Sequence, residues 1–469
     1  MESYNPATGH VIDTYEKHSP EEVETRLDRA ERTFDDWWRE KDITVRERLL
    51  AEAAQVLRAN EERYAELITR EMGKPIAQSR AEIEKCAWVC DHYAERAAEY
   101  LHDENLGSDA SANIYVTYQP LGPVLAVMPW NFPFWQVFRF AAPNLAAGNI
   151  GLLKHASNVP GCALAIEEVF EKAGYPEGAF TTLLIDSDRV EDVIADDRIQ
   201  AVTLTGSDRA GRAVAEAAGR QLKKTVLELG KSDAFVVLDD APLDETCRLA
   251  AESRLINSGQ SCIAAKRFIV VDDIYEEFVD GFERELKRRT VGDPMDAETE
   301  IGPQARSDLV ETLDEQVQAS VDAGAEIQFG GTPEDRAGNF HPATMLTDVP
   351  LDSPVATEEV FGPVAPVFEA DHQDHAIEIA NSSSLGLGAS IWTTNLDRGE
   401  YVAHQIEAGS TFVNEFVKSD PRLPFGGIKQ SGYGRELGKH GIREFVNTKT
   451  VWLQHGLIED RPLVEQERC

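Results

Sequence analysis

Long hydrophobic runs are missing from this 469-residue chain. No apolar stretch approaches the roughly 18 residues a membrane-crossing helix needs, so a bilayer-spanning protein is not expected. Cysteine is sparse: Cys86, Cys90, Cys162, Cys247, Cys262 and Cys469 are scattered along the sequence. That spacing is no disulfide framework and points to a reducing compartment. Lysine is scarce as well, supplying 15 of the 46 basic residues. Against these stand 83 Asp and Glu, for a formal net charge of −37. Such a surface repels nucleic acid and anionic membranes. It also fits a halophile-like protein kept soluble in high salt, where self-repulsion is screened. The opening MESYNPATGHVIDTYEK lacks the basic-then-apolar order of a secretory signal, so the expected location is cytoplasmic. Internal repeats and low-complexity stretches are also lacking.

What is present is enough apolar residue, 42% of the chain, to bury large cores. Length alone suggests roughly three domains. Residues 19 to about 101 read as helical. SPEEVETRLDRAERTFDDWW opens on Ser–Pro, with acidic residues in the first turn and apolar residues at helical spacing. From about Asn113 the pattern changes to short β-rich runs, NIYVTYQP and GPVLAVMPW, punctuated by Gly and Pro. Apolar strands then alternate with amphipathic helices, as in NIGLLKH before GCALAIEEVFEKAG and QAVTLTG before DRAGRAVAEAAGRQL. This alternation argues for a parallel sheet covered on both faces. A second alternating region follows Gly230. The late run EFVNTKTVWLQ is expected to pair with NIYVTYQP as an arm reaching a partner subunit. PEDRAGN, at 333–339, reads as a surface loop.

Which residues could do chemistry? LELGKSD ends like a phosphate-binding loop, but the first Gly of that motif would fall at Thr225, inside an apolar strand. Glu228 in the same stretch is a carboxylate at a strand end. NSGQSC places Cys262 in a turn of small polar residues, where backbone N–H groups favour a thiolate. In MPWNFP, two prolines fix a loop that can aim the Asn131 amide at a developing oxyanion; a rigid apolar turn is the plainer reading. TGSDRAG puts Gly206 between a strand and a helix, a weak dinucleotide signal. Cys86, Cys90 and His92, and likewise DHQDH at 371–375, imitate metal ligands without a second ligand pair.

Taken together, PWNFP, LLKHASNVP, TGS, LELG, GQSC, EEVFGPV and PFGGIKQSGYGRE resemble the aldehyde dehydrogenase superfamily, in that family's order across nearly the whole chain. The resemblance implies an α/β fold with a Rossmann-like cofactor domain, an α/β catalytic domain and a β oligomerisation arm. The expected spans are 1–112 and 121–229 for the cofactor domain, with 418–440 returning to it. The catalytic domain would be 230–417, with 113–120 and 441–469 as arm and tail. Cys262 would be the nucleophile, Asn131 and the Cys262 N–H the oxyanion donors, and Glu228 the base that hydrolyses the thioester. Relatives that pass the acyl group to coenzyme A lack this Glu, so release of a free acid is implied.

Trp130, Lys154, Thr205, Gly206, Ser207, Leu229, Glu359 and Phe361 match cofactor positions of the family. Ser157 stands where NAD-preferring members often carry Glu, and a hydroxyl does not repel a 2′-phosphate. NADP is therefore expected, with NAD tolerated. NFPFWQVFRFAAPNLAAGN and VKSDPRLPFGG resemble the bacterial succinate-semialdehyde branch, in which Arg139 and Ser419 would hold the substrate's distal carboxylate. Two departures count. Ile256 replaces a second Arg found in some of these enzymes, and Lys231 replaces the second Gly of the family's ELGG. Lys231 is expected to turn away from Glu228. The alternatives are the same chemistry on another small aldehyde, a cofactor-free thiol hydrolase or esterase, and an inactive homologue. A homo-oligomer, dimer or tetramer, is expected.

Overall fold

The computed structural model describes residues 1–108, 112–230, 232–331 and 336–455. Lys231, the first part of the 333–339 loop and the end of the expected tail, 456–469 with Cys469, lie outside the described residues. The first helix, Pro20–Thr33, starts where the sequence says it should. Ser19 and Glu22 form a reciprocal capping box, Glu22 N to Ser19 Oγ at 3.2 Å and Ser19 N to Glu22 Oε2 at 2.7 Å. A π-helical turn, Phe34–Trp38, ends it, and helices Ile43–Ala59, Glu61–Met72 and Ile76–Leu101 follow. Their apolar stripes, with Leu50, Leu57, Ile68 and Ile83, pack into one core with the sheet that follows.

That sheet has six strands, in the order Gly432–Tyr433, Lys224–Glu228, Ala201–Thr205, Pro123–Met128, Ile150–His155, Phe180–Thr182. All neighbours are parallel except Gly432–Tyr433, which runs antiparallel to Lys224–Glu228. Chain order reverses between Pro123–Met128 and Ala201–Thr205. In an open parallel sheet, the crevice beyond the carboxyl ends at such a switch point is where ligands bind. Met128, Thr205, Glu228 and His155 end their strands there.

A second sheet of seven strands is built from 234–413. One of its inner strands, Ala234–Val237, is buried on both faces. Ala234 and Val236 belong to one core cluster, Phe235 and Val237 to another. The period of two along a strand sends alternate side chains into opposite layers, which is why DAFVVLD is apolar throughout.

The third sheet pairs Val446–Gln454 antiparallel with Ala112–Pro120 over nine residues, and Glu104–Ser108 adds the other edge. The late β run thus meets NIYVTYQP as its sequence suggested. Its third strand lies within the span 1–112 that was expected to belong to the cofactor domain. Cys86 and Cys90 are buried in the helix Ile76–Leu101, within the core rather than on a ligand-binding face. No helix among the described residues is long and apolar enough to cross a membrane.

Candidate active site

Cys262 follows a backbone that few sequences would reveal. Asn257, Ser258 and Gly259 have φ of 53°, 56° and 78°, all left-handed. Each non-glycine residue held there costs on the order of 1–3 kcal/mol, so the surroundings must over-determine the turn. They do. Asn257 Nδ2 donates to Asn131 O at 2.7 Å and to Gln260 O at 3.1 Å. Ser258 Oγ accepts from Gly302 N at 2.8 Å, and Gln260 Oε1 from Ala305 N at 2.8 Å. At Gly259 a Cβ would lie 2.1 Å from the Gly362 carbonyl oxygen, so no other residue fits.

Two buried cations hold the same turn. Lys266 Nζ donates to the carbonyls of Ser261 and Cys262 at 2.9 Å and of Ala264 at 3.2 Å. It also stands 3.9 Å from Glu359 Oε1. Arg254 is fully buried and donates to Ala265 O at 2.7 Å, Gly259 O at 3.2 Å and Val360 O at 3.1 Å, and also to Gly362 O. Burial pushes its pKa down to about 9. Arg254 thus ties the thiol's turn to the segment carrying Glu359 and Phe361.

The loop after Met128 is clamped from three sides. His155 Nε2 donates to Pro133 O at 2.9 Å and Nδ1 accepts from Ala156 N at 2.9 Å, a tautomer assigned from these partners. Burial pushes its pKa down to about 4, so the ring stays neutral. Glu82 Oε1 accepts from the Phe134 and Trp135 amides at 2.9 Å each. Lys74, ion-paired with Glu82, sits 3.7 Å over the Phe132 ring. So fixed, Asn131 is 4% exposed and its Nδ2 donates to Gln260 O at 3.1 Å, two residues before the thiol.

Cys262 is half-buried and borders two cavities. The larger, about 450 Å³, opens at the switch point of the first sheet. Its walls carry Trp130, Asn131, Lys154, Ser157, Thr205, Gly206 and Ser207. Glu228, Leu229, Glu359 and Phe361 complete them, so every residue expected to hold a cofactor is present. Trp130 and Phe361 meet edge-to-face with centroids 5.7 Å apart. Ser207 caps the helix Asp208–Arg220, whose N-terminus is a ready anion site. Glu228 is 1% exposed at its strand end. A Cβ on Gly426, whose φ is +159°, would lie 2.9 Å from Glu228 Oε1.

A dinucleotide phosphate fits this cavity chemically. Burial lowers the Lys154 pKa, and its only hydrogen-bond partner among the described residues is the Ser187 hydroxyl, at 3.2 Å. Nδ2 of Asn158, on the same wall, is buried without an acceptor among the described residues. An anion would satisfy both groups.

The smaller cavity, about 200 Å³, lies against Cys262, Ile263, Phe132, Trp135 and Phe425. Arg139 and Ser419, the two residues expected to meet the substrate's distal carboxylate, both line it. Arg139 lies in the interior rather than on the helix surface. It is 1% exposed, ion-paired with Glu436, and its guanidinium stacks 4.6 Å from the Phe425 ring. Three residues here escaped sequence reasoning. Gln136 borders both cavities, and its Oε1 has no donor among the described residues. Glu82 is spent on Lys74 and two amides. Lys85 comes from the helix Ile76–Leu101 and donates to Ser419 Oγ at 3.1 Å. Only its polar position on an otherwise packed helix face could have marked it.

A model of the aldehyde dehydrogenase family matches residues 1–451. The chain is 54% identical over 449 residues to a probable succinate-semialdehyde dehydrogenase (NADP+) of Synechocystis sp., covering 96% of this chain and 98% of that protein. It is 48% identical over 454 residues to succinate-semialdehyde dehydrogenase (NADP+) 1 of Mycobacterium tuberculosis, with 96% and 98% covered. Among solved structures, succinic semialdehyde dehydrogenase from Streptococcus pyogenes in complex with NADP+ superposes with a TM-score of 0.94 at 40% identity, covering 97% of this chain and 99% of that one.

Proposed function

The chain belongs to the aldehyde dehydrogenase family, and we propose that it oxidises succinate semialdehyde to succinate with NADP+, through a thioester on Cys262. The observation that carries this reading is the position of Cys262 between two cavities. One presents the groups suited to a dinucleotide; the other is short, largely apolar and carries cationic side chains. A thiol at their junction reaches an aldehyde carbon from one side while a hydride leaves from the other.

The residues divide the work. Cys262 sulfur bonds to the aldehyde carbon, and the carbonyl oxygen becomes an alkoxide that accepts hydrogen bonds from Asn131 Nδ2 and the Cys262 N–H. NADP+, when bound, supplies the hydride acceptor. The alkoxide then re-forms a carbonyl, leaving a thioester on Cys262. Glu228 takes a proton from water, the oxygen attacks the thioester, and the carbon–sulfur bond breaks to release the acid and the thiolate. Lys154, Ser157 and Asn158 would hold the ribose and its 2′-phosphate, with Gly206 and Ser207 near the pyrophosphate. Glu359 would take the second ribose, with Trp130 and Phe361 beside the nicotinamide and Thr205 and Leu229 packing near it. Ser419 would contact the substrate's far end.

The same proposal covers domains, location and assembly. The sheets at 123–228 and 234–413 correspond to a cofactor domain and a catalytic domain, and the protein works in the cytoplasm. Trp452 and Leu453 are 61% and 49% exposed on the arm, an apolar edge suited to a second copy of the chain. The test is absorbance at 340 nm with succinate semialdehyde and NADP+. Steady NADPH formation with free succinate as product supports the reading. Absence of NADPH with this aldehyde, alongside turnover of acetaldehyde, contradicts it.

A further inference from the structure

We infer that Lys85 is the cation that receives the distal carboxylate of the substrate, and that it sets the preference for carboxylated over uncharged aldehydes.

The small cavity beside Cys262 has three charged side chains: Glu82, Lys85 and Arg139. Two are already matched. Glu82 is paired with Lys74, and Arg139 with Glu436. Lys85 makes no ion pair among the described residues. Its Nζ has the Ser419 hydroxyl at 3.1 Å and the Trp135 ring at 4.3 Å from the centroid. An ammonium held against an aromatic face and one hydroxyl, at the wall of a largely apolar pocket, is short of acceptors.

Ser419 points the same way. Its Oγ accepts from Lys85 Nζ at 3.1 Å and from Trp135 Nε1 at 3.0 Å. With both lone pairs engaged, only the hydroxyl proton is left to offer, and no acceptor for it lies among the described residues. Ammonium and hydroxyl therefore present donors side by side. A carboxylate takes two such donors with its two oxygens. The cavity's volume is about 200 Å³, roughly the share of seven waters, which suits a short unbranched chain between that carboxylate and the thiol.

Burial, and then the Arg139 charge, push the Lys85 pKa down to about 8. The groups that face it are Glu82 and Cys86 from its own helix, Arg139 and Trp135 from the next, and Cys262, Ser419 and Asp420 from the loops. At neutral pH the ammonium form prevails, and a bound carboxylate favours it further. Above pH 8 the empty enzyme loses the proton and the site its charge.

The inference rests on the semialdehyde reading, and the experiment separates the two. The kcat/KM ratio of succinate semialdehyde to butanal is measured for wild type, Lys85→Met and Lys85→Arg, with melting temperatures as a folding control. The ratio is expected to fall about 100-fold in Lys85→Met, mostly through KM, and to recover largely in Lys85→Arg. In wild type, KM for succinate semialdehyde rises as pH passes through about 8, while KM for butanal does not; this arm needs no variant. A wild-type ratio near one sinks the substrate reading and the role of Lys85 with it. A high wild-type ratio that Lys85→Met leaves intact, or a KM flat across pH 8, overturns the role of Lys85 alone.

Discussion

Arg139 and Glu436 form an ion pair whose side chains are only 1% and 6% exposed, at the wall of the cavity that Cys262 borders. Removing one partner strands a buried charge, which costs about 3–5 kcal/mol. Glu436→Gln should therefore lower the urea midpoint sharply. The double change Arg139→Met with Glu436→Leu should restore most of the loss, since two well-packed apolar side chains leave no charge behind. Equal midpoints for wild type and Glu436→Gln would mean the pair is not structural.

The turn before the thiol depends on one glycine. Gly259→Ala places a Cβ 2.1 Å from Gly362 O at a φ of +78°, so the backbone must move. Expected is a loss of activity of at least 100-fold, from displacement of Cys262 relative to Asn131. Gly219→Ala, whose Cβ meets nothing within 4 Å, serves as the control and should retain activity. Near-wild-type turnover in Gly259→Ala would show that the turn is not required.

Much of this site was legible in the sequence because strand ends announce themselves. Glu228, Thr205 and the Met128–Asn131 segment each follow an apolar run, and the parallel sheet brings such ends to one edge. Other parts were not. Ser258 adopts a left-handed angle that its residue type does not advertise. Arg254 and His155 act through carbonyls distant in sequence, at Val360, Gly362 and Pro133, which no local pattern encodes. Lys85 sits 177 positions before Cys262 in the sequence and meets it only through tertiary packing. The ion pair of Arg139 was hidden for the same reason, since Glu436 returns from the far end of the chain.

Ser157 sets the cofactor preference in this account. Ser157→Glu puts a carboxylate on the wall expected to meet the 2′-phosphate, where like charges repel by several kcal/mol. The ratio of kcat/KM for NADP+ over NAD+ should fall about 100-fold. An unchanged ratio would move phosphate recognition elsewhere on the cavity wall.

The acidic surface predicts a response to salt. At a net charge of −37, self-repulsion opposes the compact state, and molar salt shortens the screening length to about 3 Å. The melting temperature should climb as KCl is raised from 0.1 M towards molar levels (about a tenfold change in ionic strength). A flat or falling curve would remove the halophile-like reading.

The central claim is a thioester on Cys262 that Glu228 hydrolyses. Glu228→Gln keeps the side chain's shape but removes the base, so kcat should drop about 100- to 10,000-fold while a first burst of NADPH survives. The direct measurement is a mass spectrum of this variant quenched after mixing with succinate semialdehyde and NADP+. The account predicts one succinyl group on the peptide that contains Cys262, in amount equal to the NADPH burst. A burst of NADPH with an unmodified Cys262 peptide would contradict it.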